Sequence, residues 1–129
     1  MEKLLDTNDL INLEHSPVHD LINACYLMGS FKNAVKYLSS KVGFGIDMGG
    51  FTFWSDLDEY DKTFYEEEFT GIEIELGSES VILDYEIMYY YLKLAAMRYV
   101  RKNPQYEQEF ERYFEDMREN LDIKNTSKN

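Results

Sequence analysis

The hydrophobic period of this chain switches from helical to alternating and back, and that double switch is the strongest constraint on what it can fold into. Val18, Leu21, Ile22, Cys25, Met28, Val35, Leu38 and Val42 recur at steps of three, four and seven, which places them on one stripe of a long N-terminal helix. Ser16 supplies an N-cap and Pro17 a proline at the first helical position, with Asp20 near the positive end of the dipole. Gly29-Ser30 is the point where such a helix would bend.

From Gly43 the period becomes two. Phe44, Ile46 and Met48 alternate before Gly49-Gly50, and Phe51 and Phe53 alternate after it, which predicts a β-hairpin turning on the glycine pair. Ile72, Ile74 and Leu76 alternate with Glu73 and Glu75, the pattern of a strand with one face buried and one wet. Gly77-Ser78 then turns the chain into a shorter strand, Val81-Ile82-Leu83. Helical spacing returns with Tyr85, Met88, Tyr89, Leu92, Ala95, Ala96, Tyr99 and Val100, Asp84 standing at the cap. Arg98, Arg101 and Lys102 complement the end of that helix, and Asn103-Pro104 stops it and opens another, whose Tyr106, Phe110, Tyr113, Phe114, Met117 and Leu121 face inward. The expected fold is α+β: an antiparallel sheet of three or four strands packed against a long N-terminal helix and two C-terminal helices.

A chain of 129 residues that is 44% hydrophobic and 16% aromatic has enough apolar surface to form one domain spanning 1–129 without disulfides or a metal. Residues 1–15, with Leu4, Leu5, Leu10, Ile11 and Leu13, suggest at most a short helix, and 1–15 and 122–129 are the segments expected to fray. The single cysteine, Cys25, lies on the apolar stripe and reads as a buried thiol, which suits a reducing cytoplasm. No leader pattern and no membrane-length apolar run is present. The expected location is therefore cytoplasmic, without membrane contact.

Charge is distributed unevenly. Asp56, Asp58, Glu59, Asp61, Glu66, Glu67, Glu68, Glu73, Glu75, Glu79, Asp84 and Glu86 fall within 31 positions that hold one base, Lys62, so this stretch carries −11 of a formal −12. The acids are interleaved with Trp54, Tyr60, Phe64, Tyr65, Phe69 and Ile72. Charge on exposed faces aids solubility, but solubility does not require nearly all of it in a quarter of the chain, where self-repulsion destabilises the compact state. A negative field edged with aromatic rings suits a basic protein partner, while phosphate backbones are repelled, so direct nucleic-acid binding is disfavoured. The residues expected to make the contact are Trp54, Asp56, Asp58, Glu59, Tyr60, Asp61, Tyr65, Glu66, Glu67, Glu68, Glu73 and Glu75, from a loop spanning Asp56 to Glu68 and the wet face of the following strand.

Other chemistries find less support. His15 and His19 are separated by Pro17 and have no third and fourth ligand at zinc spacing. The run from Asp56 to Asp61 lacks the glycine of a calcium loop, and the glycines have no following lysine with which to cradle phosphate. Paired carboxylates could hydrolyse a substrate only within a shaped cleft, and these lie on a loop and an outward strand face. No catalytic residue, metal or cofactor is expected. Of the run Tyr89-Tyr90-Tyr91, Tyr90 is the ring expected to face outward. Arg98 and Arg101 could hold an anion but already serve the helix terminus.

Between Phe69 and Phe114 the pattern Phe69-Thr70-Gly71-Ile72-x-Ile74, the short strand Val81-Ile82-Leu83, and Tyr85-x-x-Met88-Tyr89-x-Tyr91-Leu92 running to Tyr99 and Asn103-Pro104 resembles the immunity proteins of contact-dependent growth inhibition systems, specifically those against ribonuclease toxins. The resemblance implies a small non-enzymatic cytoplasmic protein of bacteria that binds the C-terminal nuclease domain of a cognate toxin. An acidic adaptor or assembly protein with another basic partner is the alternative. The sequence leaves the oligomeric state open.

Overall fold

A computed structural model describes residues 3–123. Its helices are α1 (Ser16–Leu27), α2 (Phe31–Ser39), the single turn α3 (Glu59–Lys62), α4 (Tyr85–Lys102) and α5 (Glu107–Asn120). The strands β1 (Phe44–Ile46), β2 (Gly49–Phe53), β3 (Ile72–Leu76) and β4 (Glu79–Leu83) form one antiparallel sheet in chain order. The α+β class is as the periodicity indicates. The long N-terminal helix, however, is two helices. Gly29 takes φ +76°, and the amides of Gly29 and Ser30 donate back to the carbonyls of Tyr26 (3.1 Å) and Cys25 (2.8 Å). That is a Schellman ending, which stops a helix where a bend would let it continue. The break shifts the helical phase, so Met28 and Val42, assigned to the apolar stripe, are exposed.

The hairpin turn is also displaced. Asp47-Met48 joins β1 to β2, and Gly49 and Gly50 lie within β2. Their role is close approach: a Cβ on Gly49 would sit 2.1 Å from the Glu75 carbonyl oxygen of β3. Gly77-Ser78 does turn the chain, with Gly77 at φ +61°, and β4 begins earlier than expected, at Glu79. Ser16 is the first residue of α1, with His15 at the cap position. Asp84 stands at the cap of α4, but its side chain makes no cap hydrogen bond.

The buried apolar side chains form one cluster. On the sheet's inner face Phe53, Ile72 and Leu83 align across β2, β3 and β4, as do Phe44, Phe51, Ile74 and Val81 across all four strands. Helix α1 packs against β3, β4, α2 and α4. Phe31, Tyr99 and Phe110, with ring centroids 5.3–5.9 Å apart, join α2, α4 and α5.

Residues 4–15, which the sequence suggested would fray, are tied down. Buried Asn23 accepts from the amides of Leu4 (2.9 Å) and Leu5 (3.0 Å) and donates to the Leu5 carbonyl (3.0 Å). Arg98 donates to the Leu4 carbonyl (2.8 Å) and in fork geometry to Asp9 (2.7 and 3.1 Å). It is a strut for the N-terminal segment, not an anion receptor. This segment forms two 3-10 turns, Thr7–Asp9 and Leu13–His15, and no α-helix. Tyr91 is fully buried, its hydroxyl meeting the Ile11 amide (2.8 Å) and His15 Nδ1 (2.9 Å), while Tyr90 faces outward. Of the C-terminal segment expected to fray, Ile123 is buried and 124–129 lie outside the described residues.

Candidate protein interface

Adjacent antiparallel strands need a loop of about two to five residues, yet β2 and β3 are joined by the whole stretch from Trp54 to Gly71. A connection that long in a compact fold is usually functional. It closes back on the sheet through Gly71, whose φ is +95° and whose added Cβ would lie 2.1 Å from the Leu83 carbonyl oxygen. Only glycine enters β3 at that point.

Two tiers of aromatic rings organise the connection. The lower tier is Trp54, Tyr65 and Phe69, all half-buried, with centroids 5.3–5.7 Å apart. Lys62 places its ammonium 5.7 Å from the Trp54 ring and pairs with Glu59 at 3.5 Å. The Tyr65 hydroxyl donates to Glu73 Oε1 at 2.5 Å. Register puts Glu73 in a row with Thr52 and Ile82 on the face of the sheet away from the core, so the connection folds over that face. Glu73 was expected to point into water. It is instead only 8% exposed, because Tyr65 covers it. The carboxylate bond, reinforced by burial and by the charges of Glu73, Glu75 and Asp61, pushes the Tyr65 phenol up to about 12.

The upper tier is Tyr60 and Phe64, in edge-to-face contact at 5.2 Å. These rings are 69% and 70% exposed, unusual for paired large aromatics. On the same connection Glu59, Asp61, Glu66, Glu67 and Glu68 are exposed. Asp58 caps the short α3 by accepting from the Asp61 amide (2.8 Å). Among the described residues the acids from Asp56 to Glu86 form one ion pair, Glu59–Lys62, which leaves their field almost uncompensated.

The residues singled out from sequence therefore separate by position. Glu59, Tyr60, Asp61, Glu66, Glu67 and Glu68 share the exposed connection. Glu75 is exposed on the outer sheet face, in a row with Gly50 and Ser80. Trp54 and Tyr65 form the base beneath. Asp56 has an internal task, accepting from the amides of Phe53 (2.7 Å) and Gly43 (3.2 Å). Phe64 was absent from the expected contacts, and its signal was its place among acids beside Tyr60 and Tyr65.

A concavity between α4 and α5 holds none of the acids from Asp56 to Glu86. Elsewhere, Asp9 is lowered by its bond to Arg98 and Glu109 by bonds from Tyr113 and Lys32. Both shifts run opposite to those of a general acid. His19 meets Asp20 at 2.7 Å, and among the described residues no group of three His, Cys, Asp or Glu side chains is placed to hold a metal. No helix among the described residues is long and apolar enough to cross a membrane. No curated protein matches the chain. The family described as CDI immunity protein does match, over residues 13–114, a span that includes the whole acidic connection.

Proposed function

The chain belongs to the CDI immunity protein family, and on that premise we propose that it neutralises a cognate ribonuclease toxin in the cytoplasm by covering the toxin's basic surface with the connection between β2 and β3. The observation that carries this reading is the exposed Tyr60–Phe64 pair on a connection whose exposed carboxylates have almost no counter-ions. Aromatic anchors supply the desolvated centre of an interface, and the acids around them supply capture and orientation. A nuclease that grips RNA phosphates presents Lys and Arg, and carboxylates can stand where the phosphates would. No chemistry on the toxin is required, so the protein acts by binding and not as an enzyme.

Glu75 extends the acidic surface from the connection onto the sheet. Glu73 contributes from beneath, by holding Tyr65 and hence the connection in place. The test is a titration of the purified cognate toxin domain. Replacing both rings, Tyr60→Ala with Phe64→Ala, should weaken binding roughly 100-fold or more, with RNA cleavage returning in proportion. Undiminished affinity would move the interface elsewhere.

A further inference from the structure

The sheet ends on β4, an edge strand of five residues. Natural edge strands are commonly guarded against further pairing by proline, lysine, a bulge or a covering element. Glu79-Ser80-Val81-Ile82-Leu83 contains neither proline nor lysine, and its register with β3 runs along the whole strand without a bulge. Ser80 and Ile82 are exposed.

The ladder determines which backbone groups of this edge are free. Along an antiparallel strand, successive residues turn N–H and C=O alternately to one neighbour and the other. The Gly77 amide donates to the Met48 carbonyl at 2.9 Å, so Gly77, Glu75 and Glu73 bond toward β2. Leu76, Ile74 and Ile72 then bond toward β4, where their register partners are Glu79, Val81 and Leu83. Ser80 and Ile82 are left with N–H and C=O aimed out of the sheet, and among the described residues no hydrogen bond reaches them there. The opposite edge offers less. Strand β1 has three residues, and the same alternation frees the backbone of Gly45 alone.

We infer that the β4 edge receives an extended, basic segment of the cognate toxin, which joins the sheet as a further strand. This rests on the function proposed above and extends its contact surface from the connection to the sheet's edge. Backbone bonds to Ser80 and Ile82 hold such a strand, and the charge around the edge selects its side chains. Glu79 and Asp84 bracket β4, Glu75 lies across from Ser80, and Glu86 follows. All four acids are exposed, and among the described residues none forms an ion pair. Lysine or arginine is therefore favoured opposite the ends of β4, and an apolar residue beside Ile82, which is 46% exposed. A second copy of this chain is disfavoured by the same charges, since pairing β4 with β4 sets acid against acid. Ile82 also lies across from Glu73, which Tyr65 of the connection covers. An added strand runs about 4.8 Å beyond β4, so one partner can reach both surfaces.

Proline at position 80 tests the backbone contact, because the Ser80 N–H makes no bond within the sheet and an edge strand tolerates proline there. The purified cognate toxin domain is titrated against the full native chain, Ser80→Pro, Ser80→Ala, and the Tyr60→Ala, Phe64→Ala double variant, with a melting curve on each to confirm folding. Ser80→Pro should weaken binding roughly tenfold or more. Ser80→Ala keeps the amide and should bind within about twofold of the native chain. Residue-resolved hydrogen exchange gives a second reading that needs no substitution: the Ser80 and Ile82 amides should exchange readily in the free chain and slow at least about tenfold in the complex. Native-like binding by Ser80→Pro, or Ser80 and Ile82 amides that stay unprotected in the complex, would overturn the added strand. If the ring variant still loses affinity in that case, the proposed function stands. A native chain that does not bind the toxin overturns both. Protection of these amides that grows with chain concentration in the absence of toxin also overturns the inference, by assigning the edge to a second copy.

Discussion

Replacing Tyr65 with phenylalanine removes one oxygen and tests how the acidic connection is held against the sheet. The Tyr65 hydroxyl is the hydrogen-bond partner of Glu73, a carboxylate only 8% exposed. Without it the carboxylate stays beneath the connection with its best donor lost, or the connection lifts to admit water. A hydrogen bond to a charged group contributes about 1.5–3 kcal/mol, and the half-buried position of Tyr65 favours the lower end, about 1.5–2 kcal/mol. For a urea slope near 2 kcal/mol/M, the unfolding midpoint should fall by about 1 M with the slope unchanged. Glu73→Gln should cost less, since an amide oxygen still accepts, and adding Tyr65→Phe to it should cost less than Tyr65→Phe alone. The cycle should therefore show coupling of about 1 kcal/mol. Phenolate absorbance gives an independent reading: Tyr65 is pushed up to about 12, chiefly by this bond, and in Glu73→Gln one tyrosine should titrate closer to 10. A Tyr65→Phe loss below about 0.5 kcal/mol, or strictly additive substitutions, would refute the anchor.

Three further expectations follow from other parts of the fold. Gly71→Ala combines a φ of +95° with a Cβ 2.1 Å from the Leu83 carbonyl oxygen, so β3 must shift, and chemical denaturation should show a loss of more than about 2 kcal/mol. Burial pushes the Cys25 thiol from an ordinary 9.0 up to about 11; the folded state holds the proton more tightly, so its contribution is present below pH 9 and lost as pH rises toward 11. That contribution reaches at most about 2.7 kcal/mol, and Cys25→Ala should flatten the alkaline limb of a stability–pH curve. Asp9 is held low by Arg98, so its contribution is present above the ordinary carboxyl value of 3.8 and lost as pH falls through the folded one. Asp9→Asn should lower stability at neutral pH while making it less sensitive to acid.

The α+β architecture and the order of its elements are legible in hydrophobic period because each stripe must bury one face. The departures from that reading occur where backbone geometry outweighs side-chain pattern. Period alone does not distinguish a bend at Gly29 from a Schellman ending, since the apolar steps resume on either side of it. The glycines at 49 and 50 carry the composition of a turn, but the contact that demands them lies across the sheet at Glu75, far away in sequence. Glu73 and Glu75 are equivalent in a period-two pattern. They differ because Tyr65, from the connection that leads into β3, folds over one and not the other. Asp56 likewise resembles its acidic neighbours until its two amide partners are seen. The exposed acids with Tyr60 follow directly from composition, as does the inward turn of α4 and α5.

The central claim is that exposed carboxylates on the β2–β3 connection capture a basic toxin domain. Its decisive measurement is the association rate constant for the cognate toxin domain, from low to high salt, for the native chain and for a variant with Glu66, Glu67 and Glu68 changed to glutamine. The native rate should fall at least about tenfold between 0.02 and 0.5 M salt, and the variant should be slower at low salt and converge with the native chain at high salt. A native rate indifferent to salt, or a variant that matches the native rate throughout, would contradict it.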